Sequence, residues 1–168
     1  MNGTRTNTET RGFSSDFRVF SVVIRIQPGV VMIELKHREI TDKILYAFFK
    51  KVYHKLGYGF LEKVYENALA SELRRMGLKV IQQAPIRVYY EGEVVGEYYA
   101  DLVVEGVVIV EIKAARWILP EHEAQLLNYL RATTYEVGLL LNFGPKPEFR
   151  RKVMDNSRKA SATWMRES

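Results

Sequence analysis

The chain has 168 residues, with 25 Lys and Arg against 20 Asp and Glu, 47% hydrophobic residues and no cysteine. One domain with a real core is expected at this size, and disulfides, thiol catalysis and Cys-type zinc sites are excluded. No apolar run reaches membrane-spanning length and the N-terminus lacks a signal-peptide pattern, so a cytoplasmic protein with no membrane partner is expected.

The charge is uneven: +5 over residues 1–60, −4 over 61–145 and +4 over 146–168. An acidic centre between basic flanks suits a site that holds cations and meets a polyanion. A solvated surface with a basic tail would give the same distribution.

Residues 1–16 are polar, rich in Thr, Asn and Ser, and expected to be disordered. Phe17–Glu34 is either a short strand pair or extraneous to the fold, and Met32 is an alternative start of translation. His37–Leu56 has the spacing of a helix, with Ile40, Ile44, Leu45, Phe48, Phe49, Val52 and Leu56 on one stripe and Gly57 ending it. Phe60–Met76 is a second helix, with Leu61, Val64, Tyr65, Ala68, Leu69, Leu73 and Met76 facing the core and Gly77 as its stop.

Strands are expected at Leu78–Gln83, Ile86–Tyr90, Val94–Val104 and Val107–Ala114, with turns at Ala84–Pro85, Glu91–Gly92 and Glu105–Gly106. Pro120 opens a third helix that runs to about Thr133, and Tyr135–Phe143 is a last apolar strand. Asp155–Ser168 has the composition of a frayed basic tail. This order predicts an α/β fold, a mixed central sheet flanked by helices, without internal repeats.

The segment Tyr98–Ala114, YYADLVVEGVVIVEIKA, carries the chemistry. Strand side chains alternate, so Glu111 and Lys113 share a face while Ile112 points into the core. A hairpin through Glu105–Gly106 brings Asp101 towards Glu111. Two carboxylates and an amine then converge in a sheet of Val and Ile, an arrangement a divalent cation would compensate. Phosphodiester hydrolysis needs a cation, an activated water and stabilisation of the leaving oxygen. Asp101 and Glu111 would ligate Mg²⁺ or Mn²⁺, the Ile112 carbonyl would add an oxygen, and Lys113 would orient or deprotonate the water. The competing structural account is a surface hairpin with a cross-strand Glu–Lys pair.

Glu62 and Glu66 lie one turn apart on the second helix, Glu62 at the border of the apolar stripe and Glu66 towards solvent. Gln125 and Tyr129 have the same spacing on the third helix, where Gln125 could position water or a phosphate and Tyr129 support it. Leu126, Leu127 and Leu130 would face the core. His122 is expected to be an exposed first-turn residue.

Gly59-Phe-Leu-Glu62-Lys-Val-Tyr65, YYADLVVEG, VIVEIKA, HEAQLLNYL and GLLLNFG occur here in the order of the small GxxExxY proteins of bacteria and archaea. The chain resembles that family, part of the PD-(D/E)xK nuclease-like superfamily, over roughly Lys36–Phe149. Tyr58 stands where many relatives carry Pro. The resemblance implies a restriction-endonuclease-like αβββαβ core with an additional N-terminal helix. It also implies a Mg²⁺-type site at Asp101, Glu111 and Lys113, with Glu62 as a further acid. Gln125 and Tyr129 look like the QxxxY element of RecB-like exonucleases. Residues 1–35 have no counterpart, which divides the chain into an N-terminal extension, partly disordered, a nuclease-like domain over 36–153 and a basic tail over 154–168.

The expected function is a metal-dependent nuclease acting on DNA ahead of RNA. The alternative is a non-catalytic nucleic-acid-binding or assembly module that keeps the fold, its basic flanks binding phosphates without cutting. A third account has Tyr89, Tyr90, Tyr98 and Tyr99 forming a dimerisation surface, and a homodimer would suit a small domain acting on a duplex.

Overall fold

A computed structural model describes residues 35–159 and the backbone of two short strands, 23–26 and 29–32. The chain separates into two compact units, Met1–Leu35 and Lys36–Ser168. In the first, β1 (Val23–Ile26) and β2 (Gly29–Met32) pair antiparallel, with Val23 opposite Met32 and Ile26 opposite Gly29. The strand-pair expectation for this stretch therefore holds over these residues. The expected disorder of residues 1–16, and the tail beyond residue 159, lie outside the described residues.

The second unit opens with α1 (Arg38–Tyr46), which passes through a π-helical segment (Ala47–Tyr53) into the single turn α2 (His54–Leu56). Ile44, Leu45, Phe48 and Val52 are buried along the expected stripe. The π segment was not foreseen. Behind it the Tyr53 hydroxyl lies 3.0 Å from the carbonyls of Gly144 and Pro145, tying the helix to the loop after the sixth strand. Then come α3 (Glu62–Arg75), β3 (Val80–Tyr90), β4 (Glu93–Val104), β5 (Val108–Lys113), α4 (Pro120–Arg131), β6 (Val137–Asn142), β7 (Glu148–Val153) and α5 (Asn156–Lys159).

β3 to β7 form one five-stranded mixed sheet in that order, antiparallel except for the parallel pair β5–β6 that α4 connects. Every residue from Val108 to Ile112 and from Val137 to Asn142 is buried, as expected for central strands covered on both faces. On one face Leu126, Tyr129 and Leu130 of α4 pack on Ile86, Val103, Ile109 and Leu140. Elsewhere in the core Tyr65 of α3 stacks on Phe143 at a centroid distance of 4.2 Å, and Phe48 meets Phe143 edge-on at 4.7 Å.

Both hairpin turns hold, with positive φ at Glu91–Gly92 and at Glu105–Gly106. The first is a two-residue loop, Tyr90 facing Glu93, and the second carries one residue more, Val107, because Val104 faces Val108. Four expectations change. No turn interrupts β3 at Ala84–Pro85, because β3 is an edge strand, where Pro is tolerated. The irregularity falls instead on Gln83, at φ 51°. β7 was not anticipated: its Arg- and Lys-rich sequence, EFRRKV, has no apolar alternation because it is the other edge. Leu61 and Val64 face solvent, and Leu127 is only half-buried. The start of the expected tail is anchored, since Asp155 accepts from Lys36 at 3.0 Å and the Lys159 ammonium meets the carbonyls of Thr133 and Tyr135.

Candidate active site

The site forms where β4 and β5 part. Their ladder runs Val104–Val108, Val103–Ile109 and Leu102–Val110 and then stops. The next residues along are Asp101 and Glu111, and their side chains take over the hydrogen bonding. The Ile112 N–H donates to Asp101 Oδ2 at 2.7 Å, and the Asp101 N–H approaches Glu111 Oε1 at 3.4 Å. Each carboxylate thus faces the main chain of the opposite strand, which holds the two acids side by side.

Glu111 is 2% exposed and Asp101 half-buried. Burial, followed by the charge of Asp101, pushes the Glu111 carboxyl up to about 8. Burial also raises Asp101, against the Ile112 N–H, which favours its ionised form. The half-buried Lys113 is close enough for its charge to act on both acids.

Glu66, expected towards solvent, is buried, and Glu62, expected at the border of the apolar stripe, is exposed. Glu66 is 3% exposed and held by Lys63 Nζ at 2.7 Å, Gln82 Nε2 at 3.0 Å and Gln83 Nε2 at 2.9 Å. Gln83 Nε2 also lies 3.4 Å from Asp101 Oδ1, which links α3 to the carboxylate pair. Glu62 is exposed at the start of α3, its Oε1 3.3 Å from the Ala114 N–H just past β5. The rotation follows from the helix phase: Tyr65, Glu66, Leu69, Ala70 and Leu73 are buried, so the stripe runs one residue later than expected.

Gln125 Nε2 donates to the Tyr129 hydroxyl at 2.8 Å, and the hydroxyl feels the charges of Glu111 and Asp101. The structure thus gathers Asp101, Glu111, Lys113, Glu62, Glu66, Gln125 and Tyr129 in one region. His122 stays apart: its Nδ1 accepts from the Leu119 N–H at 3.2 Å and caps α4.

Two supporting residues were missed. Gln83 bridges Glu66 and Asp101, and its only sequence mark is a Gln pair before Ala-Pro. Asn142, 0% exposed, grips the loop after Lys113 with both ends of its amide: Ala115 N–H to Oδ1 and Nδ2 to the Ala115 carbonyl, each 2.9 Å. A lone polar residue closing the run GLLLN was the available clue.

Among the described residues, no three His, Cys, Asp or Glu side chains are gathered as a ready-made metal cluster. The donors still suit a hard cation. They are all oxygen, and Glu111 is denied water while burial and the charge of Asp101 outweigh the favourable charge of Lys113, so an ion between the acids would relieve both charges. Main-chain oxygen, water or Glu62 would complete the shell.

A family model described as the PD-(D/E)XK nuclease superfamily matches residues 38–152. Nucleases of that superfamily generally use divalent metal ions. Among solved structures, an alkaline exonuclease from Laribacter hongkongensis (LHK-Exo) is similar at 12% identity and a TM-score of 0.44, covering 77% of this chain and 76% of that one. SSO0001 is similar at 17% identity and a TM-score of 0.40, covering 77% and 65%. No curated protein matches.

Proposed function

This chain belongs to the PD-(D/E)XK nuclease superfamily, and on that premise we propose that it is a cytoplasmic, metal-dependent nuclease that hydrolyses phosphodiester bonds in DNA ahead of RNA. The observation that carries this reading is the Asp101–Glu111 pair beside Lys113: a half-buried and a buried acid side by side on adjacent strands, both raised by burial.

Mg²⁺ or Mn²⁺ would polarise the scissile phosphate and lower the pKa of the attacking water. Asp101, Glu111 and the Ile112 carbonyl would hold the ion, with Glu62 joining directly or through water. Lys113 orients the water and offsets charge that accumulates on the phosphate in the transition state. Asp101 is kept in place by the Ile112 N–H and by Gln83, which Glu66 anchors in turn. Gln125, braced by Tyr129, positions the substrate phosphate.

The test is cleavage of labelled single- and double-stranded DNA and RNA with Mg²⁺ or Mn²⁺, alongside Asp101→Ala and Lys113→Ala. Metal-dependent cutting is expected from the wild type only, and Lys113→Ala should lose about 10²–10⁴-fold while keeping its fold. Cutting that survives in both variants would remove this site from the reaction.

A further inference from the structure

The β3–β4 hairpin outruns the sheet beside the candidate active site. β5 pairs with β4 only over Leu102–Val104, whereas β3 pairs with β4 as far as Tyr90–Glu93. The stretch from Ala84 to Ala100 therefore stands beyond β5 as a two-stranded arm. Ile86 on this arm is buried against α4, and its cross-strand partner Tyr98 faces the same way.

Between arm and helix lies an open groove of about 550 Å³, bordered by Val88, Gly96 and Tyr98 of the arm and by Ala124, Asn128 and Arg131 of α4. Clefts of about 300–1,000 Å³ are the usual size for small-molecule ligands. Gln125 and Tyr129 also line the groove, and the Tyr129 hydroxyl feels the charges of Glu111 and Asp101, so these two side chains stand between the groove and the carboxylates.

Its walls select a ligand type. Tyr98 is 51% exposed and its ring lies back over Gly96, where an added Cβ would meet it at 3.2 Å. Glycine thus leaves room for the ring to present a face. Arg131 lies 3.4 Å from Asn128 Oδ1, forming an amide–guanidinium edge. The acid Glu121 also borders the groove, which disfavours a second phosphate and suits the polar edge of a base.

We propose that this groove seats an unpaired nucleobase next to the scissile phosphate, stacked on Tyr98 with its edge towards Asn128 and Arg131. The preferred substrate is then nucleic acid that is single-stranded or frayed at the cut, because a paired base would first have to leave its stack. The proposal rests on the nuclease reading and adds the state of the substrate to it.

The test uses the full chain with Ca²⁺ in place of the catalytic ion and short single strands carrying 2-aminopurine at successive positions. Fluorescence reports base stacking, a strand-binding titration reports affinity, and neither requires cleavage. Quenching is expected at one position, lost in Tyr98→Ala and in Ala124→Trp, which fills the groove from an exposed helix position. Affinity should fall about tenfold in each. Melting curves establish that both variants are folded, and Gly96→Ala, which displaces the Tyr98 ring, supplies a third variant. Strand binding with unchanged quenching in the folded variants would overturn the groove proposal alone. A concentration-dependent dimer of the wild type that Ala124→Trp dissolves would overturn it in favour of a second copy as occupant. No nucleic-acid binding by the wild type would overturn the nuclease reading and this proposal together.

Discussion

Glu111 and Glu123 are the same residue type in opposite circumstances. Glu123, on α4, meets Lys152 and Arg150 of β7, and the Lys152 ammonium holds its carboxyl below the usual range. Glu111, in the centre of the sheet, has a carboxyl that burial and Asp101 raise, the charge of Lys113 offsetting them only in part. The fold satisfies Glu123 with the ammonium of Lys152 and, on α3, Glu66 with that of Lys63, whereas Glu111 stays raised despite the nearby charge of Lys113. The difference separates an acid whose charge its neighbours compensate from one whose surroundings work against its ionised form.

The most direct way to break that contrast is Glu111→Gln, which keeps the shape and removes the charge. Cleavage should fall by at least about 10²-fold, since a ligand to the proposed ion is lost. Stability should move the other way. The folded pKa of Glu111, about 8, lies above its ordinary value of 4.5. The folded state therefore binds the proton more tightly, and the stability this contributes is present at low pH and lost as pH rises through about 8. At pH 9 without metal, Gln should be more stable by on the order of 3 kcal/mol, a Tm gain of roughly 10 °C, and nearly neutral at pH 4. Wild-type protein should be stabilised by Mn²⁺ at pH 9, and the variant should lose that response. Melting scans with and without metal at the two pH values check all of this, and a variant less stable at pH 9 would show that Glu111 serves the fold.

Asn142 sharpens the comparison as a buried polar group whose partners are all in the chain. In Asn142→Ala the Ala115 N–H and carbonyl lose both bonds. The loss should be about 2–4 kcal/mol, read as a Tm lower by roughly 5–15 °C whatever the pH or metal. The loop after Lys113 should loosen with it, lowering cleavage less than Glu111→Gln does. Chemical denaturation separates the two effects.

How far the sequence disclosed this design follows from the same distinction. Asp101, Glu111 and Lys113 stood out because acids and an amine interrupt a run of Val and Ile, and alternation sets their faces. Both hairpin turns were visible because a Glu-Gly pair divides two apolar runs and the glycine takes positive φ freely, whereas the positive φ of Glu91 and Glu105 was not written in the residue type. Glu66 was misjudged because helix phase shifted by one position exchanges buried and exposed neighbours, and Leu61, Val and Tyr in sequence allow either phase. β7 stayed hidden because an edge strand can be charged throughout. The bonds of Gln83 and Asn142 depend on residues 17 to 27 positions away, which no local pattern encodes.

The smallest effect belongs to Lys152→Ala, at the satisfied end of the comparison. Glu123 has a lowered folded pKa, so its ion pair adds stability above the ordinary carboxylate range, which is lost as pH falls through the folded value. Both side chains remain partly exposed, at 27% and 28%, so water screens the pair and Arg150 still serves Glu123 after Lys152 is gone. Tm should change by no more than about 2 °C at pH 7 and by less at pH 3, with cleavage unaffected. The opposite pH signs of this variant and Glu111→Gln form the sharper test. If both lost stability in the same direction as pH rose, the two glutamates would share one role, and the case for an acid held in waiting at β5 would fall.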